Sequence, residues 1–337
     1  MDNVYLLILA LVLGFGIAAI SGKFILPMLR TLQVGQRVRN DGPKTHLKKA
    51  GTPTFGGFIF LGAFTIVVSM YLIYDFQPII LATLLFVLAH AAIGFVDDYF
   101  NVRVNGDGLS DAKKALVLAI IQILFIVFYL YAGGEEVRIL LFFREPIVVT
   151  GIWKLVYGAF LFFYFFACTN AVNIVDGIDG LASSVTIVTL AFTAITAYLF
   201  HKNNFGTASS LGVSIVSLVM LGALGGFLIY NWHKAKCFMG DLGSLALGAL
   251  TSVTLLILEM PWVFVLAGIM YVVDIATVLI QTTYFKMTGG KRIFKMTPIH
   301  HQFEIEGWSE VKVVILFSVI QLIGSVLSAL IVWPSIL

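Results

Sequence analysis

The chain has 337 residues, of which 60% are hydrophobic and 12% charged, with a formal net charge of +3 and a mean hydropathy of +1.00. A soluble domain carries about 25% charged residues, so there are too few charges here to coat a soluble core. An ordinary soluble globule is excluded, and a membrane protein with many crossings is implied.

A helix needs about 20 apolar residues to cross a hydrocarbon core of roughly 30 Å. Ten runs qualify, near 4–29, 55–74, 78–96, 114–132, 153–172, 181–200, 209–230, 242–258, 261–285 and 311–333. The first begins almost at Met1 with no small-residue cleavage site, which reads as a span rather than a removed leader. "KTHLKKAGTPTFGG" (44–57) follows it, "GFVDDYF" (94–100) closes the third span, and "LSDAKKAL" (109–116) opens the fourth. Next comes "EEVRILLFFREPIVVT", too short to cross, whose β-branched and aromatic runs predict a small hairpin at the membrane surface. The fifth span runs into "NAVNIVDGIDGLA" (170–182), and "NWHKAKCFMGDLGSLALG" (231–248) leads into the eighth. The ninth span, 25 residues from Pro261 to Phe285, overshoots the bilayer at 1.5 Å per residue. It carries Asp274, and an intramembrane acid is a functional candidate by default, the alternative being a hydrogen bond to a neighbouring helix. "KMTPIHHQFE" (295–304) separates it from the tenth. Cys168 and Cys237 sit in or beside apolar runs and read as buried thiols without a disulfide. No repeat, linker or second domain is visible, so residues 1–337 read as one integral membrane domain. The expected fold is all-α and polytopic: ten transmembrane helices, a short extracytoplasmic β-hairpin, and cytoplasmic loops that carry the site.

Lysine and arginine stay on the cytoplasmic side of short loops. If the loops after the odd-numbered spans face the cytoplasm, all but Arg138, Arg144, Lys154 and Lys202 of the 21 basic residues lie there. Both termini are then extracytoplasmic. The same inner face collects every motif quoted above except the hairpin.

Asp97 and Asp98 end the third span, where acids oppose the helix dipole and repel one another unless a cation or proton lies between them. Asp176 and Asp179, three apart, share a face if their segment is helical. Asp179 is also placed to cap the helix starting at Leu181, which leaves Asp176 and Asn173 without a role. Asp241 could cap the eighth span. Three acidic sites on one face nevertheless make a hard-oxygen cluster of the kind that holds Mg²⁺ with phosphates. His300–His301 lacks helical zinc-ligand spacing, so zinc fits less well. Lys48, Lys49, Lys113, Lys114, Lys291 and Arg292 would counter a diphosphate, although the positive-inside rule alone accounts for most of them. Acids for a metal, bases for phosphate and an apolar wall suit a reaction that joins a soluble nucleotide substrate to a lipid phosphate.

With "DD" after span three, then "NAVNIVDGIDGLA", "FMGDLGSLALG" and "MTPIHHQFE", the chain resembles the bacterial phospho-N-acetylmuramoyl-pentapeptide-transferases. These belong to the polyprenyl-phosphate N-acetylhexosamine-1-phosphate transferase superfamily. The likeness runs from Leu6 to Trp333, and "GTPTFGG" with "KMTPIHHQFE" points to the muramoyl-pentapeptide branch. The resemblance implies transfer of phospho-MurNAc-pentapeptide from UDP-MurNAc-pentapeptide to undecaprenyl phosphate, forming lipid I and uridine monophosphate at the cell membrane for peptidoglycan. It implies a catalytic set of Asp97, Asp98, Asp241 and His301, with Asp98 a candidate for deprotonating the lipid phosphate. Asp241 would be the main Mg²⁺ ligand, joined by Asp176. Asn173, Asp176 and Asp179 would line the nucleotide site, Phe238 would stack on uracil, and Lys49, Thr54, Lys113, Gln281 and His300 would bind substrate. One position departs from the family: Gln302 stands where a third consecutive histidine is usual, and glutamine cannot carry a proton at pH 7. The resemblance also implies a homodimer, which no residue in the chain establishes.

A lipid phosphate oxygen is already anionic at neutral pH, so direct in-line attack is expected over a covalent aspartyl-phosphate. The rivals are a sister transferase moving GlcNAc-1-phosphate, opposed by "PIHHQFE", and an ion-coupled transporter. A transporter would place its acids near the midplane, often in repeated halves. Nucleic acid is not an expected partner, since the basic residues are spread along membrane boundaries.

Overall fold

A computed structural model describes residues 3–32, 49, 51–104, 106, 108–133, 136–141 and 145–336. Lys48 and Arg144, named above, lie outside them. In a bilayer every backbone polar group must find its partner within the protein, so long apolar runs become helices. The long ones are α1 (Asn3–Thr31), α2 (Gly57–Tyr74), α3 (Pro78–Arg103), α4 (Asp111–Tyr131), α5 (Trp153–Val175), α6 (Leu181–Lys202), α7 (Ser210–Asn231) and α8 (Gly240–Ile257). They are followed by α9 (Phe264–Ala267), α10 (Ile269–Met287), α11 (Ile299–Ile305) and α12 (Glu310–Val332). Among the described residues nine helices are long and apolar enough to cross a membrane, and a bent pair makes a tenth.

α8 is the centre of the bundle, 89% buried along its apolar window against 22% for α1 at the rim. α3 and α5 pack on α8, while α1 packs on α7 and α12 on α6. Apolar side chains such as Phe24, Leu124, Phe163 and Leu330 point outward, as a lipid-facing rim requires.

The ninth span is not one straight rod. A single 3-10 turn at Pro261–Val263 leads into α9, and α10 leaves at 84° to the first segment. The cause lies partly on another helix. Gly268 occupies the break, where a Cβ would stand 2.7 Å from the Phe264 carbonyl oxygen. Gln321 of α12 then satisfies the freed backbone: its Oε1 accepts the Met270 N–H at 3.0 Å, and its Nε2 donates to the Ala267 carbonyl and to Thr189 Oγ1.

The hairpin is present as two-residue antiparallel strands, β1 (Arg138–Ile139) and β2 (Ile147–Val148), with Arg138 opposite Val148 and Ile139 opposite Ile147. It is fastened to the α8–α9 connection, where Leu140 N–H donates to the Glu259 carbonyl at 2.7 Å and Trp262 Nε1 donates to the Leu140 carbonyl at 2.6 Å.

Candidate active site

The third helix brings its acids to the start of the eighth because Gly94 has no side chain: a Cβ there would collide with the Asp241 carbonyl oxygen. At that distance Asp98 Oδ2 accepts the Leu242 N–H at 3.1 Å. Asp241 sits inside the first turn of α8 and does not cap it. One of its carboxylate oxygens accepts Asn173 Nδ2 at 2.9 Å, and the other pairs with the Lys114 ammonium. Lys114 also lies 3.5 Å from Asp97 Oδ2, so one ammonium serves two acids, while Asp97 Oδ1 accepts the Leu109 N–H at 2.8 Å. Asn173 donates as well to Ser244 Oγ at 2.7 Å, which fastens α5 to α8. It is Lys114 that reaches the carboxylates; Lys113 is exposed on the adjoining face of the turn. The charge of Lys114 was visible in the sequence, but its pairing depends on which face of the first turn of α4 meets α3 and α8.

Asp176 follows the last residue of α5, half-buried, and its carboxylate makes no hydrogen bond with any described residue. Burial, and then the negative charges of Asp241 and Asp179, push its pKa up to about 8, against a smaller pull downward from Lys49.

Asp179 belongs to a neighbouring group and does not cap α6, whose N-cap is Gly180. Its Oδ1 accepts Lys49 Nζ at 2.7 Å and its Oδ2 accepts the Ala235 N–H at 2.9 Å. Glu310, at the start of α12, accepts the same Lys49 ammonium at 2.6 Å and the Asp179 N–H at 3.0 Å. His233 Nδ1 approaches Asp179 Oδ2 to 3.3 Å. Lys49 stands 5.9 Å from the Phe238 ring centre, and Phe238 is held by its N–H to the Pro53 carbonyl and its own carbonyl to the Gly56 N–H. Thr54 is buried beside the same junction. Sequence reasoning passed over Glu310 and His233: each sits at a helix boundary where polar residues are ordinary, and only tertiary pairing distinguishes them.

Gln281 of α10 and the residues that follow that helix form a third group. Gln281 spends its amide on its own chain, its Oε1 accepting the Ile293 and Phe294 N–H groups at 3.0 and 3.1 Å. His301 Nδ1 lies 2.7 Å from Glu304 Oε2, while His300 is fully buried against Asp274.

A hard divalent cation calls for carboxylate oxygens. The first group offers them: Asp97 and Asp241 already share one cationic group, and the Asp176 carboxylate lacks a hydrogen-bond partner among the described residues. The donor chemistry suits a hard cation such as Mg²⁺. Among the described residues the one trio of ligand atoms within 4.8 Å of one another is Asp179, His233 and Glu310, and there the Lys49 ammonium already supplies the charge.

Residues 80–259 match the family described as glycosyl transferase family 4, which makes this bundle a membrane-embedded transferase. The chain is 41% identical over 320 residues to the phospho-N-acetylmuramoyl-pentapeptide-transferase of Clostridium perfringens (strain 13 / Type A), covering 94% of this chain and 96% of that protein. It is 39% identical over 336 residues to the enzyme of that name from Listeria monocytogenes serotype 4b (strain CLIP80459), covering 98% and 99%. With the Clostridium botulinum (strain Eklund 17B / Type B) enzyme the identity is 43% over 321 residues, covering 93% of each. The chain belongs to the phospho-N-acetylmuramoyl-pentapeptide-transferase family.

Proposed function

We propose that the protein transfers phospho-MurNAc-pentapeptide from UDP-MurNAc-pentapeptide to undecaprenyl phosphate, forming lipid I and uridine monophosphate. The observation that carries this reading is the meeting of Asp97, Asp98, Asn173, Lys114 and Asp241, from four helices, at one end of a lipid-facing bundle. Phosphoryl transfer asks a protein mainly for positioning and charge neutralisation, and both are provided there. Asp241 and Asp176 would hold Mg²⁺, which supplies positive charge to the diphosphate as the uridine phosphate departs. Lys114 keeps Asp97 and Asp241 from repelling one another, and Asn173 sets the rotation of the Asp241 carboxylate. Asp98, close behind, would take a proton from the lipid phosphate if one is present. Lys49, held by Asp179 and Glu310, and Phe238, held by its backbone to Pro53 and Gly56, offer an ammonium and a ring face to a nucleotide. The basic residues gathered at this end of the bundle support a cytoplasmic site with both termini outside, and a homodimer remains part of the proposal.

Purified protein given both substrates should release uridine monophosphate in a Mg²⁺-dependent way, and Asp241→Asn should lower kcat by about 1,000-fold. No release, or equal turnover of UDP-GlcNAc, would overturn the reading. Labelled nucleotide-sugar without lipid tests the direct route: stoichiometric nucleotide release with label left on the protein would replace it with a covalent one.

A further inference from the structure

A polar pair inside the bundle has no part in the chemistry proposed for the site. Asp274 lies on α10 beyond the bend and His300 on α11, and both side chains are 0% exposed. His300 Nδ1 stands 2.7 Å from Asp274 Oδ2. The ring is held on other sides by His301, at 4.1 Å between centres, and by Phe317, at 6.4 Å. Yet Asp274 Oδ1 and His300 Nε2 are buried without a hydrogen-bond partner among the described residues. Such orphaned atoms cost stability, and an apolar pair of similar volume would pack there without that cost. A contact that served the fold alone would not need them.

The free edge of the imidazole faces one place. A Cβ on Gly177 would collide with His300 Nε2 and would stand 2.9 Å from Cε1 and 3.2 Å from Cδ2. Gly177 is the residue after Asp176, in the turn that also carries Asp179. A rigid ring pressed against that backbone fixes how far the turn can settle toward α11, and with it where both carboxylates stand. Among the described residues the bond at Nδ1 is the ring's one hydrogen bond, so that bond sets its rotation between the packed rings of His301 and Phe317.

We propose that Asp274 is a positioning residue for the transfer: it holds the His300 imidazole, whose opposite edge sets the turn bearing Asp176 and Asp179. It acts through His300 and does not touch substrate. The inference rests on the transferase reading and adds a residue to it, linking the bent ninth span to the site.

The test uses full-length protein in detergent with both substrates, measuring kcat and the nucleotide-sugar KM for Asp274→Leu, Asp274→Asn, Gly177→Ala and the Asp274→Leu/Gly177→Ala double variant. Asp274→Leu keeps an apolar volume and removes the acceptor, so kcat should fall about 10- to 100-fold, as for other residues that orient an active group. Asp274→Asn retains an oxygen for Nδ1 and should recover most of that loss. Gly177→Ala pushes on the same ring, so the double variant should lose no more than the worse single one. A thermal midpoint for each variant separates misfolding from misplacement. An active wild type with wild-type kcat in Asp274→Leu would sink the inference alone, as would multiplicative losses in the double variant or equal impairment of the Leu and Asn variants. A wild type that releases no uridine monophosphate would sink the transferase reading and this inference with it.

Discussion

Asp176 shows how a charge can be present in the chain and withheld from the fold. Its carboxyl is held at about 8, well above the ordinary value of 3.8 that it has in the unfolded chain. Below about pH 4 both states carry the proton and nothing is at stake. Between the two values the folded protein keeps a proton that the unfolded chain has lost, so stability falls as pH rises and the loss is complete above about 8. Thermal unfolding of metal-free protein should therefore show a midpoint that declines from about pH 5 to about pH 8 and levels off above it, and saturating Mg²⁺ should flatten the decline. Asp176→Asn should abolish it; an unchanged slope in that variant would assign the effect to another group. Asp179 is the contrast. Its carboxylate accepts the Lys49 ammonium and the Ala235 N–H while its own N–H donates to Glu310, so it is a fixed strut where Asp176 is open. The sequence offered both acids for the nucleotide site, with a capping alternative for Asp179 and a metal role for Asp176. What separates them comes from Lys49, Ala235 and Glu310, partners far off along the chain, and no local pattern encodes such pairings.

Among the elements, the helices follow from hydropathy because a bilayer leaves an apolar run of that length no other way to pair its backbone. The hairpin followed from its β-branched residues in the same manner. The bend in the ninth span did not, since no proline marks it. Its signals were a lone glycine at 268 and a glutamine at 321, and a glutamine inside an apolar span is itself a sign that some backbone nearby needs a partner. Neither signal points to the other until α9, α10 and α12 are packed together. Gln321→Leu leaves the Met270 N–H and the Ala267 carbonyl without their partner and should cost about 1–3 kcal/mol. Unfolding in mixed micelles would measure it. A midpoint equal to wild type would mean that Gly268 alone sustains the bend. The capping roles read for Asp179 and Asp241 also gave way at this scale: α6 starts one residue later, and α8 two residues earlier, than such a cap would need, freeing both side chains for tertiary contacts.

For the whole molecule, the helices alternate in direction, so the ends of the odd-numbered spans and the starts of the even-numbered ones share a side. That puts Asp98, Lys114, Asp176 and Asp241 together although they are spread over 144 positions of the chain. In cells, Lys113→Cys at this end should react with a membrane-impermeant thiol reagent only after the inner face is opened, and Ile152→Cys should react from outside. Cys168 and Cys237 are buried, so background labelling should be low. The reverse pattern would invert the orientation drawn from the basic residues. The approach of α3 to α8 carries a last consequence. At position 94 the side chain is one hydrogen atom, and that atom is the spacer across the reaction centre. A methyl group there would lever two helices apart while leaving every acid and base in place. A blind screen for dead variants should therefore recover Gly94→Ala beside the carboxylates, an inactivating lesion at a residue with no functional group to lose.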